Sequence, residues 1–195
     1  MNYNTYKSRK GVKVISWDDF YGLCKGLALA LSLYKPEIIL GITRGGLYPA
    51  TQISHLLQAE FYPIRLSRRE NDKIVREHPI WLSNPPSIIA KKKVLIVDEI
   101  CDSGETLNLA KKMVEEMGAN EVKIAVLYSH EYGSKIPDYI GIITDELILN
   151  PWDREILKSG KFIFNDEYAS ALKLQNLKIE KYFISKIKPA KLAKR

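Results

Sequence analysis

The chain has 195 residues, 46% of them hydrophobic and 27% charged, which suits one soluble globular domain. No window approaches the roughly 18 consecutive apolar residues of a membrane span, and the opening MNYNTYKSRK lacks the apolar run of a signal peptide, so a cytoplasmic protein is expected. The net charge of +7 would suggest a polyanionic partner, yet residues 168–195 carry eight Lys or Arg and one acid, Glu180, leaving the body balanced. The sequence therefore predicts a domain over 1–165 and a basic C-terminal extension over 166–195, read as a solvated tail with no specific nucleic-acid or membrane partner.

The predicted elements alternate. A helical pattern over 17–34 leads to an apolar run at 37–42, and a second helix over 47–57 leads to a run at 59–66. Residues 67–90 break this rhythm, charged at first and then rich in proline. They are too long for an ordinary connection and are read as a lid or binding loop. A strand follows at 94–97. Next comes a helix with Leu107, Ala110, Val114 and Met117 on one face, which stops at Gly118; further runs lie at 122–128 and 139–149. Near-continuous apolar strands separated by helices predict an α/β fold with a mainly parallel sheet covered on both faces. Cys24 and Cys101 form neither a disulfide framework nor a CxxC pair and are read as buried thiols. His55, His78 and His130 are too scattered to predict a metal cluster.

The most informative stretch is VLIVDEICDSGET at 94–106. A strand fit for the centre of a sheet ends on Asp98 and Glu99, at the carboxyl edge where parallel sheets bind ligands. Residues 102–106 then offer backbone N–H groups, the Ser103 and Thr106 hydroxyls, and Gly104 where the chain must come close to something, all at a helix start suited to phosphate. Paired acids also occur in Walker B and receiver-type sites, but no G-x-x-x-x-G-K-[ST] accompanies these. A phosphate cradle beside paired carboxylates suits a ribose 5-phosphate.

The whole string resembles the phosphoribosyl pyrophosphate (PRPP) motif of the type I phosphoribosyltransferases, with Ser103 in place of the usual Thr. ILGITRGG at 39–46 is similar to that family's pyrophosphate loop, often built on a cis peptide. ISWD at 15–18 and NPWD at 150–153 resemble segments of the xanthine-guanine and hypoxanthine-type enzymes. The resemblance covers about residues 13–165. It implies the type I phosphoribosyltransferase fold, a mainly parallel twisted sheet flanked by helices with a small hood over the base site. It also implies a purine phosphoribosyltransferase that joins a free purine to PRPP and releases pyrophosphate.

By that resemblance Asp98 and Glu99 hold the ribose hydroxyls, and residues 102–106 (Asp102, Ser103, Gly104, Glu105, Thr106) hold the 5-phosphate. Asp102 takes the proton of the base; Asp98, Glu99 and Asp102 are thus the implied catalytic residues. Thr43, Arg44, Gly45 and Gly46 hold pyrophosphate. Tyr128, Leu147 and Ile148 contact the purine, and Mg2+ is held by Glu99 and Asp153. A homo-oligomer, dimer or tetramer, is expected. The 6-oxopurine enzymes carry a lysine after the strand matching 122–128, whereas this chain reads YSHEY at 128–132, and Lys135 lies too far along. A missing donor to O6 tilts the expected preference to adenine. The alternatives are a 6-oxopurine enzyme and a non-catalytic PRPP-sensing regulator.

Overall fold

A computed structural model of the chain describes residues 9–70 and 73–183. Residues 184–195, the most basic part of the expected extension, lie outside it. The chain forms two compact units.

The first unit spans Asp18–Asp145 and is built on a six-stranded sheet. Its elements are α1 (Trp17–Leu31), β2 (Ile38–Ile42), α2 (Leu47–Leu57), β3 (Glu60–Ser67), the short pair β4 (Arg69–Glu70) and β5 (Lys73–Ile74), β6 (Ile80–Ser83), β7 (Lys93–Cys101), α3 (Glu105–Glu116), β8 (Glu121–Ser129) and β9 (Tyr139–Ile143). The strand order is β6-β3-β2-β7-β8-β9, with every neighbour parallel except the edge pair of β3 and β6. All five residues of β2 are buried, as a strand covered on both faces requires. Ile38, Leu40 and Ile42 share one core with Leu107, Ala110 and Val114 of α3. The intervening Gly41 faces α2, where a Cβ would come 2.8 Å from that of Ala50. Helices thus cover both faces, and the expected α/β sheet is what the chain builds.

Alternation explains most boundaries, and proline and glycine explain the rest. The helix expected over 17–34 stops at Leu31; Lys35 takes a positive φ of 52° ahead of Pro36, which disfavours helix before it. The expected run 139–149 is two strands, because the polar Thr144, Asp145 and Glu146 interrupt it after β9. Within 67–90 the chain is partly tied down: β6 pairs with β3, and Ile89 is fully buried in the main core.

In the second unit, whose described residues are 9–17 and 146–183, β1 (Val12–Val14) runs parallel to β10 (Leu147–Leu149). A hairpin of β11 (Glu155–Lys158) and β12 (Lys161–Phe164) turns at Ser159 and Gly160, both at positive φ as a tight two-residue turn demands. The helix α4 (Asp166–Leu174) is capped by Asn165, whose side chain accepts from the Glu167 N–H at 3.0 Å. Tyr168, Ala171 and Leu172 of α4 share a core with Leu147, Leu149 and Phe164, so the start of the expected extension is packed rather than solvated. Among the described residues no helix is long and apolar enough to cross a membrane.

Candidate active site

The sheet order decides where a site can form. From β2 the chain builds outward to β3 on one side and to β7, β8 and β9 on the other, so the loops leaving β2 and β7 diverge to opposite faces. The crevice beyond their carboxyl ends is the binding position of such sheets.

The β2 loop contains a cis peptide between Thr43 and Arg44. The Thr43 N–H donates to the Ile64 carbonyl at 2.9 Å. Thr43 Oγ1 is buried and has no hydrogen-bond partner among the described residues, while Arg44 is exposed. The glycines after it are steric necessities. A Cβ on Gly45 would overlap the Glu99 carboxylate, and one on Gly46 would stand 2.7 Å from the Val97 carbonyl and 2.8 Å from the Asp98 Cα. The loop therefore lies directly on the acidic pair.

At the end of β7, Asp98 Oδ1 accepts from the Glu99 N–H at 2.8 Å. Burial raises the Asp98 carboxyl from its ordinary 3.8 to about 7, with that N–H pulling the other way. The loop then reaches Gly104, at φ +75°, whose missing Cβ leaves room for Ile136; this glycine starts α3. Residues 100–107, Asp98 and Arg68 line one pocket, so the predicted phosphate loop is assembled around an open space at a helix start. From the 67–90 segment, His78 Nδ1 meets Glu105 Oε1 beside this pocket, and that carboxylate raises the His78 pKa.

Other predicted site residues fall elsewhere. Tyr128 is wholly buried in β8, opposite Ile100 and Ile142. Leu147 and Ile148 are buried in the second unit, in register with Val12 and Lys13. Asp153 belongs to that unit too, its Oδ2 accepting from the Tyr168 hydroxyl at 2.9 Å, and Trp152 lies against Trp17 with ring centroids 6.2 Å apart. Both cysteines are buried, as expected; burial pushes the Cys24 thiol up to about 12 and Cys101 to about 11.

Sequence reasoning missed two neighbours of Asp102. Tyr132 donates its hydroxyl proton to Asp102 Oδ1 at 2.9 Å, and His130 Nε2 lies 3.4 Å from the same oxygen. The signal was present in the polar SHEY run that follows an apolar strand.

Comparison with known proteins agrees with this geometry. The phosphoribosyl transferase domain family matches residues 16–158. The chain is 30% identical over 156 residues to a xanthine-guanine phosphoribosyltransferase of Cereibacter sphaeroides, covering 71% of this chain and 85% of that one. It is 25% identical over 103 residues to an adenine phosphoribosyltransferase of Bordetella pertussis, covering 49% and 57%. A crystal structure of a purine phosphoribosyltransferase from Pyrococcus horikoshii superposes with a TM-score of 0.66 at 30% identity, over 77% of this chain and 99% of that one. With its motifs seated at the carboxyl edge of the sheet, the chain belongs to the phosphoribosyl transferase domain family, close to the purine phosphoribosyltransferases.

Proposed function

We propose that this protein transfers the 5-phosphoribosyl group of PRPP to a free purine, giving a purine nucleotide and pyrophosphate in purine salvage. The observation that carries the reading is the packing of the Arg44-Gly45-Gly46 loop onto Asp98 and Glu99, beside a pocket formed by the start of α3. Those parts match the three polar portions of PRPP, two of them charged. The 5-phosphate would lie against residues 102–106, the ribose hydroxyls against Asp98 and Glu99, and the pyrophosphate against Thr43, Arg44, Gly45 and Gly46. As the base nitrogen bonds to the anomeric carbon and the pyrophosphate oxygen leaves, positive charge grows on the sugar. The two carboxylates stabilise it, and Arg44 stabilises the departing anion.

Among the described residues no three His, Cys, Asp or Glu side chains gather as a metal cage. Magnesium is commonly held by one or two carboxylates completed by substrate phosphates and water, and Glu99 and Asp153 would each supply a hard oxygen ligand of that kind. Bound there, Mg2+ would neutralise pyrophosphate charge. Asp102 would accept the proton of the purine. Leu147 and Ile148 of the hood would border the base, whereas Tyr128, wholly buried within β8, is not placed to touch it. We take the protein as a cytoplasmic homo-oligomer whose basic extension begins beyond α4, since α4 packs in the core of the second unit.

Within this reading adenine is the favoured base. Ser129, close to where the 6-oxopurine enzymes carry lysine, is fully buried and donates its hydroxyl to the His130 carbonyl at 3.0 Å, so that hydroxyl is not offered to O6. A mismatched buried polar contact costs about 1–3 kcal/mol, roughly 5- to 150-fold in specificity. The similarity to a xanthine-guanine enzyme supports the 6-oxopurine alternative. Turnover of PRPP with adenine, guanine, hypoxanthine and xanthine separates them, with the Asp98→Asn, Glu99→Gln double variant as the inactive control. A wild type tenfold better with guanine than adenine sinks the adenine preference. Turnover of none of the four, or an active double variant, overturns the purine transferase reading.

A further inference from the structure

We infer that His130 and Tyr132 are positioning residues for Asp102, and that the Asp102–His130 pair, rather than Asp102 alone, holds the proton released by the base. The inference rests on the proposed transferase reading and adds a proton acceptor behind its general base.

The ring nitrogens of His130 can be told apart by their partners. Nδ1 lies 2.8 Å from the Thr144 carbonyl oxygen, which can only accept, so Nδ1 carries the hydrogen. In the neutral ring Nε2 is then a lone pair, and it faces Asp102 Oδ1 at 3.4 Å. A lone pair set against a carboxylate is unfavourable until one proton lies between them. The pair is therefore built to take up a proton. Asp102 opens on the pocket with 38% of its side chain exposed, while His130, only 5% exposed, sits behind it.

The surroundings fix this geometry from several elements. Tyr132 stacks on His130 with ring centroids 6.3 Å apart and planes 7° from parallel, and its hydroxyl ends on the same Oδ1. The His130 N–H donates to the Cys101 carbonyl at 3.1 Å, and the Cys101 thiol donates to the Gly133 carbonyl at 3.4 Å. A Cβ on Gly133 would overlap the Asp102 carbonyl, so only glycine lets the 130–133 turn close on the loop. Among the described residues, charged and titratable groups that face the ring include Asp102 from the β7 loop, Asp145 after β9 with Oδ1 3.5 Å from Nδ1, and Tyr132 on its own turn. Asp145 Oδ1 also accepts from the Glu131 N–H at 3.3 Å.

In the transfer step the purine nitrogen bonds to the anomeric carbon, and the carbon–oxygen bond to pyrophosphate breaks with its electron pair on oxygen. The proton on the base passes to the Asp102 carboxylate and from it to His130 Nε2. The carboxylate is restored beside an imidazolium, which loses its proton after the products leave.

The test combines His130→Gln and Tyr132→Phe with kcat and KM for PRPP measured across pH, and imidazole nitrogen NMR of wild type and Asp102→Asn. Each variant is expected to lower kcat roughly 10- to 100-fold, a share of the usual general-base effect, with KM for PRPP within about twofold. The acidic limb of the kcat profile should move to lower pH in His130→Gln and stay in Tyr132→Phe. NMR should show hydrogen on Nδ1, with the Nε2 signal altered by Asp102→Asn. An unchanged pH profile or kcat in His130→Gln overturns the inference, as does hydrogen on Nε2 with Nδ1 bare. If His130→Gln does not fold, Tyr132→Phe, whose residue is exposed, and the NMR comparison decide. A wild type inactive with every purine refutes the transferase reading instead, and the NMR comparison still decides the pairing.

Discussion

Replacing Asp98 by Asn is expected to stabilise the free protein while ending its chemistry. The folded carboxyl titrates at about 7 against an ordinary 3.8, because burial disfavours its charge. Between these values the unfolded chain has already released the proton that the folded one keeps. Stability is therefore fully present below about pH 4 and is lost as pH rises through about 7. Roughly three pH units at about 1.36 kcal/mol each cap the loss near 4 kcal/mol, a ceiling because Asp98 is only partly buried and lines the open pocket. Asn avoids that charge but introduces an amide NH2, whose burial without a partner costs about 1–3 kcal/mol. The net gain at pH 8 is at most about 2 kcal/mol, or roughly 4–8 °C in Tm for a chain of this size. Thermal or urea denaturation of both proteins at pH 5 and pH 8, without magnesium or PRPP, measures it. The gap should be present at pH 8 and absent or reversed at pH 5. A variant no more stable at pH 8, or an equal gap at both pH values, refutes the buried-carboxyl argument. Costly placement of an acid at the end of the central strand makes sense where a ligand supplies hydrogen bonds that the empty protein lacks.

The two glycines of the β2 loop should respond differently to alanine. Gly45→Ala meets only the flexible end of Glu99, so turnover should fall at least tenfold with little change in a urea melt; Gly46→Ala meets backbone, 2.6 Å from the Ile42 carbonyl, and should cost about 1–3 kcal/mol. Equal destabilisation by both would contradict the assigned contacts. In limited proteolysis, PRPP with magnesium should slow cleavage after Arg69, Lys73 and Arg76, upstream of the β6 pairing that anchors the segment; equal rates with and without ligand would mark an inert loop.

The parts of the fold that the sequence made legible are those with a period. Runs at 37–42, 59–66 and 122–128 became β2, β3 and β8 to within a residue at most; β2 and most of β8 are buried and so nearly all apolar, while β3, with Glu60, Pro63 and Arg65 exposed, is marked by its turn-bounded run. The pairing of β6 with β3 was hidden: four residues of mixed character read as loop, and only the edge of a sheet assembled from distant segments makes them a strand. The hairpin of β11 and β12 was legible and overlooked, since Ser159-Gly160 between two apolar-rich stretches is a hairpin turn signal. β1 has only three residues, too few for any period.

The site divides along the same line. The residues that would touch PRPP lie in two contiguous strings, because a phosphate loop must follow its strand directly, and a contiguous string is what one sequence can display. The support of Asp102 is discontinuous. It comes from the turn after β8 and from the Thr144 carbonyl after β9, brought beside the β7 loop only because β7, β8 and β9 are consecutive parallel neighbours. Parallel order places the carboxyl ends of all three strands on one edge, so whatever follows β8 borders whatever follows β7. The segment where a lysine would read the base in 6-oxopurine relatives is therefore also the segment that can reach the general base. In this chain its side chains, His130 and Tyr132, are turned to Asp102, so the segment that lacks the lysine is the one that would supply the proposed proton acceptor.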